Sequence, residues 1–154
     1  MLLSNHGMRG RINISGGVDL ETGRVIVDFP DKVNSYTTLE MFKKIERRYS
    51  NEKTIHIILD NASAHKSRLV KDYIKNSKIN LVFLPPYSPN LNLMERIWGL
   101  FRRKLLANSW SQTFLEFKKR IKYFFKKTLI NKTEKWVMPL MTEAFQEFEG
   151  NFIT

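Results

Sequence analysis

Residues 81–105, LVFLPPYSPNLNLMERIWGLFRRKL, hold the pattern from which the rest of the chain is interpreted. Their apolar start predicts a short buried strand, and the apolar spacing that follows predicts a helix with Glu95 near its beginning. An earlier segment, IHIILD at residues 55–60, predicts a strand that ends in a carboxylate, Asp60. A carboxylate at a strand end and another on a later helix can converge on a divalent ion. The sequence therefore predicts that Asp60 and Glu95 belong to a metal-dependent phosphoryl-transfer site.

The residue types around these two carboxylates suit an ion that prefers hard oxygen ligands, Mg²⁺ or Mn²⁺, which a few Asp and Glu side chains can hold. The loop at residues 84–92, LPPYSPNLN, contains three prolines. Proline restricts the backbone, so this loop also restricts where Glu95 points. Structural interpretations stay open for each residue. Asp60 can cap the next helix, Asn92 and Glu95 can form a capping box, and His65 can be a surface residue at a helix start.

Composition narrows the class of protein. The chain has 154 residues, 42% of them hydrophobic, which predicts one folded domain with a real core. It has no cysteine and three histidines, so disulfides and thiolate metal sites are excluded and a zinc site is disfavoured. No apolar run approaches the roughly 18–20 residues that cross a bilayer, and the N-terminal residues lack the apolar core of a signal peptide. We expect a soluble cytoplasmic protein without membrane partners.

The charge predicts a polyanionic partner. The formal net charge is +11 and the isoelectric point is about 10.0, which favours nucleic acid. Such charge predicts phosphate contacts and carries no base specificity. Trp110 is a candidate for base stacking, although apolar packing is the alternative. A solvated basic surface is the alternative for the candidate phosphate-binding residues, which are His65, Lys66, Arg96, Arg102, Arg103, Lys104, Lys118, Lys119 and Lys122.

The N-terminal half predicts a hairpin and a helix. Residues 1–10 predict a loop, and residues 11–18 and 24–29 predict two antiparallel strands around the turn DLETG. Gly16 and Gly17 inside the first strand indicate a bulge or a close backbone approach. Residues 35–49 then predict an amphipathic helix, with Ser35 or Thr37 as its cap.

The remaining elements alternate before the chain becomes helical. Strands are predicted at residues 54–60 and 79–84, both buried, the first covered on both faces, with a helix at 66–76 between them. Helices follow from residue 93, at 113–129 and at 134–149, the last bent at Pro139. This order predicts an α/β protein with a helical C-terminal end.

The motifs LDNASAH and FLPPYSPNLNLMERIW, with 34 residues between Asp60 and Glu95, resemble the DDE transposases of the mariner superfamily, in particular its bacterial insertion-sequence branch. The segment RGRINISGGVDLETGRV and residues 108–117 match that branch too. The resemblance implies a ribonuclease H-like mixed sheet with flanking helices, and Mg²⁺ or Mn²⁺ as cofactor. It also implies cleavage at transposon ends and strand transfer into target DNA. Asp60 corresponds to the second catalytic aspartate and Glu95 to the terminal acidic residue.

The same resemblance places the family's first catalytic aspartate on a central strand upstream of residues 11–18. The expectation is a single catalytic domain, 1–154, that is truncated at its N-terminus, without this strand and without a DNA-recognition domain. A sheet that lacks its central strand predicts marginal stability, a rearranged sheet, or a homodimer or partner chain that supplies the strand.

Three functions follow as hypotheses. The first is a C-terminal portion of an insertion-sequence transposase that is inactive as a lone chain. The second is a non-enzymatic basic DNA-binding remnant or a regulator of a full-length transposase. The third is another ribonuclease H-like nuclease, such as an integrase or resolvase relative, which the Pro-Pro-Tyr-Ser-Pro loop disfavours by resemblance.

Overall fold

The computed structural model describes residues 2–4, 10–88, 91–106, 111 and 113–142, with the backbone alone for 2–4, 106 and 142. The strands are β1 Leu2–Ser4, β2 Arg11–Asn13, β3 Ser15–Val18, β4 Val25–Asp28, β5 Ile55–Leu59 and β6 Ile79–Phe83. The α-helices are α1 Ser35–Arg48, α2 Arg68–Ile74, α3 Leu93–Phe101, α4 Phe114–Tyr123 and α5 Met138–Thr142. Wider π-helical turns lie at Arg102–Leu106, Phe124–Thr128 and Thr133–Val137, and a short 3-10 turn lies at Ile130–Lys132.

The segment predicted as one strand at residues 11–18 is two short strands with different partners. β2 pairs antiparallel with β1, Ile12 opposite Leu3, so the prediction of a loop over residues 1–10 was wrong at this strand. β3 pairs antiparallel with β4 in the predicted hairpin. Between β2 and β3 the chain is held by Asn13, whose buried side-chain amide donates to the backbone carbonyls of Pro30 and Asp31. Such a local side-chain tie is hard to recognise from apolar alternation alone.

The hairpin turn is closed by Asp19. Its carboxylate accepts hydrogen bonds from the backbone N–H groups of Glu21 and Thr22 and from the hydroxyl groups of Thr22 and Tyr49. Gly23 completes the turn with φ of +67°, a conformation that glycine adopts without steric cost. The Tyr49 hydroxyl lies 2.7 Å from Oδ2 of Asp19, so the turn is fastened to the end of α1.

Helix α1 covers the predicted range with a different cap. Asn34 is the N-cap, its side chain accepts from the N–H groups of Tyr36 and Thr37, and the Thr37 hydroxyl completes a capping box. The predicted caps Ser35 and Thr37 lie one and three residues after the observed cap, because Asn is also a strong N-cap and the periodic pattern does not locate a helix boundary to one residue. The ammonium group of Lys44 bonds to Asp28 and attaches the helix to β4.

Strands β5 and β6 form a parallel pair that α2 packs against. Val70 of α2 is fully buried, together with Leu59 and Ile79, on one face of the pair. The opposite face is open: Ile58 is 51% exposed and Val82 is 43% exposed. The prediction that the first of these strands is covered on both faces, and the prediction that the second is buried, were therefore wrong for the described residues. Continuous apolar runs of this kind usually mark strands between two layers, so this open face is unusual for a parallel pair.

The main hydrophobic core lies in the helical C-terminal part. Ile97 and Phe101 from α3, Ile121 from α4 and Val137 are completely buried, as the predicted apolar stripes require. The Phe101 ring lies 5.4 Å from Phe124 and 4.9 Å from Phe125, measured between ring centroids. This aromatic cluster fixes the axis of α3 and therefore the direction in which its first turn, with Glu95, projects.

The described strands form three separate two-stranded sheets, β1–β2, β3–β4 and β5–β6. The architecture is mixed α/β with a helical C-terminal end, as predicted. No helix within the described ranges has the length and apolar character to cross a membrane. Trp110 and the part of the predicted last helix beyond residue 142 lie outside the described residues.

Candidate functional site

Asp60 follows β5 directly, at the carboxyl end of the parallel pair. Its Oδ1 accepts a hydrogen bond from the Ala62 N–H at 3.1 Å. His65 turns back toward it, with Nδ1 3.1 Å from Oδ1 and 3.2 Å from the Asp60 backbone oxygen. Helix α2 is capped by Ser67, so the interpretation of Asp60 as a helix cap was wrong. Oδ2 accepts no hydrogen bond within the described part of the chain, and the side chain is 56% exposed, so this oxygen is available to a ligand.

Asn61 connects the loop after β5 to the end of β6. Its Nδ2 donates to the Leu84 carbonyl at 2.7 Å, and its Oδ1 accepts from Lys66 Nζ at 2.6 Å. The Leu84 N–H donates to the Leu59 carbonyl at 2.8 Å, which aligns the two strand ends. The proline-rich loop that leads to Glu95 therefore leaves the sheet beside Asp60. Asn61 lies within the motif LDNASAH, but the sequence predicted no role for it, because only the fold places Leu84 next to it.

The proline-rich loop also holds one residue in an uncommon conformation. Tyr87 has φ of +58° although it is not glycine, and its side chain is fully exposed. Positive φ for a non-glycine residue is uncommon, and here it follows two consecutive prolines that restrict the preceding backbone. The prolines and Tyr87 therefore determine the backbone conformation of the loop before α3 begins.

Glu95 lies exposed in the first turn of α3. Asn92 is the N-cap as predicted, and its side chain accepts from the Met94 N–H at 3.1 Å. The Asn92 side chain does not accept from the Glu95 N–H, and among the described residues the Glu95 carboxylate does not accept from the Asn92 N–H, so the capping-box interpretation was wrong although the N-cap is confirmed. Among the described residues the Glu95 carboxylate has neither a hydrogen bond nor an ion pair. Helix α3 therefore positions this carboxylate without using it as a capping group.

The two carboxylates suit the chemistry of an oxygen-preferring divalent ion such as Mg²⁺ or Mn²⁺, because both are exposed and each keeps at least one unoccupied oxygen. Within the described ranges no group of three or more His, Asp or Glu side chains is arranged to hold a metal. Asp60 is paired with His65, and Glu95 lies on a separate element. Asp60 thus directly follows β5 and Glu95 lies on α3, and the described part of the chain brings no third carboxylate to them.

The predicted phosphate-binding residues differ in their surroundings. Arg102, Arg103, Lys104 and Lys119 are exposed on the π-helical turn after α3 and on α4. Two others contact groups of the protein itself. Arg96 Nη1 donates to the Leu140 carbonyl, and Lys122 Nζ lies 5.7 Å from the centre of the Phe29 ring. Near Asp60, Lys66 is exposed and lies over the Phe83 ring at 5.2 Å, and His65 is partly buried. Lys118 is partly buried and lines a small pocket that Asp31 also lines.

A model of the DDE superfamily endonuclease family matches residues 2–118, about three quarters of the chain. The chain belongs to this family. Both carboxylates and the whole proline-rich loop lie inside the matched range. The resemblance that the motifs around Asp60 and Glu95 indicated is thereby confirmed.

Curated relatives are transposable-element proteins. The chain is 27% identical over 119 residues to an insertion element IS630 uncharacterized 39 kDa protein of Shigella sonnei, covering 77% of this chain and 35% of that protein. It is 31% identical over 113 residues to the transposable element Tc3 transposase of Caenorhabditis elegans, covering 71% of this chain and 34% of the transposase. The chain spans less than two thirds of the length of these relatives, about a third of each.

Solved structures show the fold. The catalytic domain of Mos1 mariner transposase superposes with a TM-score of 0.64 at 15% identity, covering 92% of this chain and 79% of that domain. A Mos1 paired-end complex with Mn superposes with a TM-score of 0.59 at 16% identity, covering 94% of this chain and 47% of that one. The chain therefore shares the mixed α/β fold of a mariner transposase catalytic domain. Its described strands form three two-stranded sheets, whereas the resemblance implied one ribonuclease H-like mixed sheet.

Proposed function

We propose that this chain is the C-terminal catalytic-domain portion of an insertion-sequence transposase, which cuts and joins DNA by metal-dependent phosphoryl transfer. The observation that carries the proposal is the position of Asp60 at the carboxyl end of β5, with an unoccupied Oδ2 and with the loop to Glu95 leaving the sheet beside it. The match to DDE superfamily endonucleases over residues 2–118 supports this chemistry.

In this proposal Asp60 and Glu95 are the catalytic and metal-binding residues for Mg²⁺ or Mn²⁺. When bound, the ion supplies activation of a water or 3′-hydroxyl and stabilisation of the leaving oxygen. The protein orients the carboxylates and the strand ends that carry them. His65 holds one carboxylate oxygen of Asp60 and leaves the other for the ion, and Asn61 holds the two strand ends in register. Lys66, anchored to Asn61 at 2.6 Å, places a cation next to the site for a DNA phosphate.

DNA, both transposon ends and target, is the proposed partner. The net charge of +11 and the exposed residues Arg102, Arg103, Lys104 and Lys119 provide phosphate contacts. Arg96, Lys118 and Lys122 stay in the proposed set, and each is partly buried, so their contribution would combine packing with phosphate contact.

A lone chain is proposed to show little catalysis, because two carboxylates hold their ions weakly and no third carboxylate joins them among the described residues. We further propose that a second chain supplies a strand along β5. The edge of β5 opposite β6 has no partner strand among the described residues, and Ile58 is half exposed on the same pair. A strand added there would pair the open backbone groups and cover apolar surface.

The test is nicking of a plasmid that carries the ends of the surrounding element, with Mn²⁺ as the metal. The chain alone should nick slowly at the ends, and the polypeptide encoded immediately upstream should accelerate the reaction. Asp60→Asn and Glu95→Gln should each abolish it. Fast nicking by the chain alone would refute the incomplete site, and nicking that persists in both variants would refute the assigned carboxylates.

The alternative is a non-enzymatic DNA-binding remnant or a regulator of a full-length transposase, and the strongly basic surface of α4 favours it. This function predicts DNA binding that weakens steeply with salt and is unchanged by Asp60→Ala or Glu95→Ala, without metal-dependent nicking under any condition. Affinity that stays constant between low and moderate salt would argue against it.

A further inference from the structure

An open groove of about 410 Å³ lies in the helical C-terminal part, and neither Asp60 nor Glu95 lines it. It is bounded by the π-helical turn after α3, by α4 and the π-helical turn Phe124–Thr128 that continues it, and by the π-helical turn before α5. Basic and aromatic side chains dominate its wall, and none of the described residues that line it is acidic. The lining residues are Lys104, Leu105, Lys119, Arg120, Tyr123, Phe124, Thr128 and Trp136.

The aromatic part of the wall rests on the hydrophobic core. Trp136 is half-buried and stacks on Phe124, with ring centroids 6.2 Å apart and planes 20° apart. Phe124 is itself only 3% exposed and packs on Phe101 in the core. Beside them, Tyr123 leaves 66% of its surface exposed. A fixed aromatic platform with an accessible neighbour is the arrangement on which proteins stack unpaired bases.

The charged part of the wall suits a phosphate. Lys104 and Lys119 are exposed and form no ion pair with a described carboxylate, and Lys104 Nζ lies 5.2 Å from the centre of the Trp136 ring. The Arg120 guanidinium is oriented by a 2.9 Å bond to the hydroxyl of Ser111, which is buried. Cations and a stacking surface thus stand within one groove whose volume fits a ligand the size of one nucleotide.

We propose that this groove binds an unpaired nucleotide of single-stranded DNA. Its base stacks on Trp136 and Tyr123, and its flanking phosphates contact Lys104 and Lys119. The proposal rests on the proposed function, since a transposase that opens DNA ends exposes unpaired bases. Single-stranded DNA is favoured over duplex because bases inside a duplex are already stacked and do not present their faces to an aromatic side chain.

The experiment measures fluorescence anisotropy with a labelled oligothymidylate of about 12 nucleotides, within the length that one small domain contacts, and with a duplex of equal length. Tyr123→Ala should weaken single-strand binding about tenfold, since stacking on one base contributes ~1–3 kcal/mol and 1.4 kcal/mol is tenfold. Duplex binding should be nearly unchanged. The matched control is Tyr36→Ala, which removes another exposed tyrosine, 72% exposed on α1, and should leave both affinities unchanged.

A second comparison of variants distinguishes binding in the groove from a general effect of positive charge. Lys104→Gln with Lys119→Gln should weaken single-strand binding several-fold more than Lys126→Gln with Lys127→Gln. The second pair removes the same charge from exposed residues that do not line the groove. Equal losses in the two pairs, or equal effects of Tyr123→Ala and Tyr36→Ala, would overturn the proposal.

The outcome is distinguishable from failure of the proposed catalytic function. A double variant with Asp60→Asn and Glu95→Gln should bind the oligothymidylate with unchanged affinity. If nicking is absent but the groove variants behave as expected, the groove stands and the catalytic proposal falls. If nicking depends on both carboxylates while single-strand binding ignores Tyr123 and Lys104, the groove proposal falls alone.

Discussion

Two adjacent glycines in β3 give a sharp test of the packing between the hairpin and α3. A Cβ atom added at Gly16 would lie 2.8 Å from the Ile26 backbone oxygen and 2.9 Å from Val27 Cγ1. The backbone oxygen cannot move without disturbing the β3–β4 ladder, so Gly16→Ala should destabilise the protein by about 1–3 kcal/mol, the range of overpacking in a tight site. The same atom would lie 3.4 Å from Met94 Cε, so the shift also reaches the residue before Glu95.

Gly17 is the internal control, because a Cβ atom there would meet nothing within 4 Å. Gly17→Ala should leave stability unchanged or raise it by about 0.4–1 kcal/mol, since alanine restricts the unfolded chain. Urea unfolding followed by circular dichroism measures both variants. For a chain of this size the loss at Gly16 corresponds to a decrease in Tm of roughly 2–4 °C per kcal/mol. Equal stability of the two alanine variants, or a stabilised Gly16→Ala, would refute this packing of β3 against β4 and α3.

Three further predictions concern the core, the hairpin turn and the strand ends. Phe101→Ala should cost about 3–5 kcal/mol in urea unfolding, because the ring is fully buried between two other rings, whereas Leu115→Ala, 61% exposed, should change stability by less than about 0.5 kcal/mol. Burial acts to raise the pKa of Asp19, but hydrogen bonds from Thr22 and the other donors outweigh it and hold the pKa below its ordinary value. This carboxylate therefore stabilises the fold above about pH 4, and stability should fall as pH decreases through its folded pKa, with a shallower fall in Asp19→Asn. Asn61→Ala should lower the free energy of unfolding by about 0.5–1.5 kcal/mol through loss of the bond to the Leu84 carbonyl, and a loss below the error of urea titration would argue against this link between strand ends.

Features that follow from apolar periodicity could be predicted from the sequence. Features that depend on which segments pair or pack together in the fold could not. The stripe with Ile97 and Phe101 was predictable because one helical face must be buried, and Asp60 at a strand end was predictable because an apolar run stops there. The exposed face with Ile58 was not, since an apolar run does not reveal whether a second layer covers it. Strand β1 was missed because three residues pair only through the partner that the fold brings to them.

The roles of Asp60 and Glu95 stay predictions from the sequence, whereas the contacts around these residues could not be predicted from it. Both carboxylates came from motifs, and the structure places both on defined elements. The His65 contact to Asp60 and the Asn61 bond to Leu84 join residues that are 5 and 23 positions apart. These bonds depend on the loop after β5 curling over the end of β6, which no local spacing encodes. The groove around Trp136 was missed for the same reason, because its residues come from three separate segments.

The central claim is that Asp60 and Glu95 together hold a divalent ion, and Mn²⁺ binding followed by electron paramagnetic resonance tests it most directly, without a need for turnover. We predict weak binding by the chain, reduced at least about tenfold by Asp60→Asn and by Glu95→Gln. Glu21→Gln, which removes an exposed carboxylate in the hairpin turn, should bind as the unmodified chain does. Equal Mn²⁺ affinity of all four proteins would contradict the assignment of these two carboxylates.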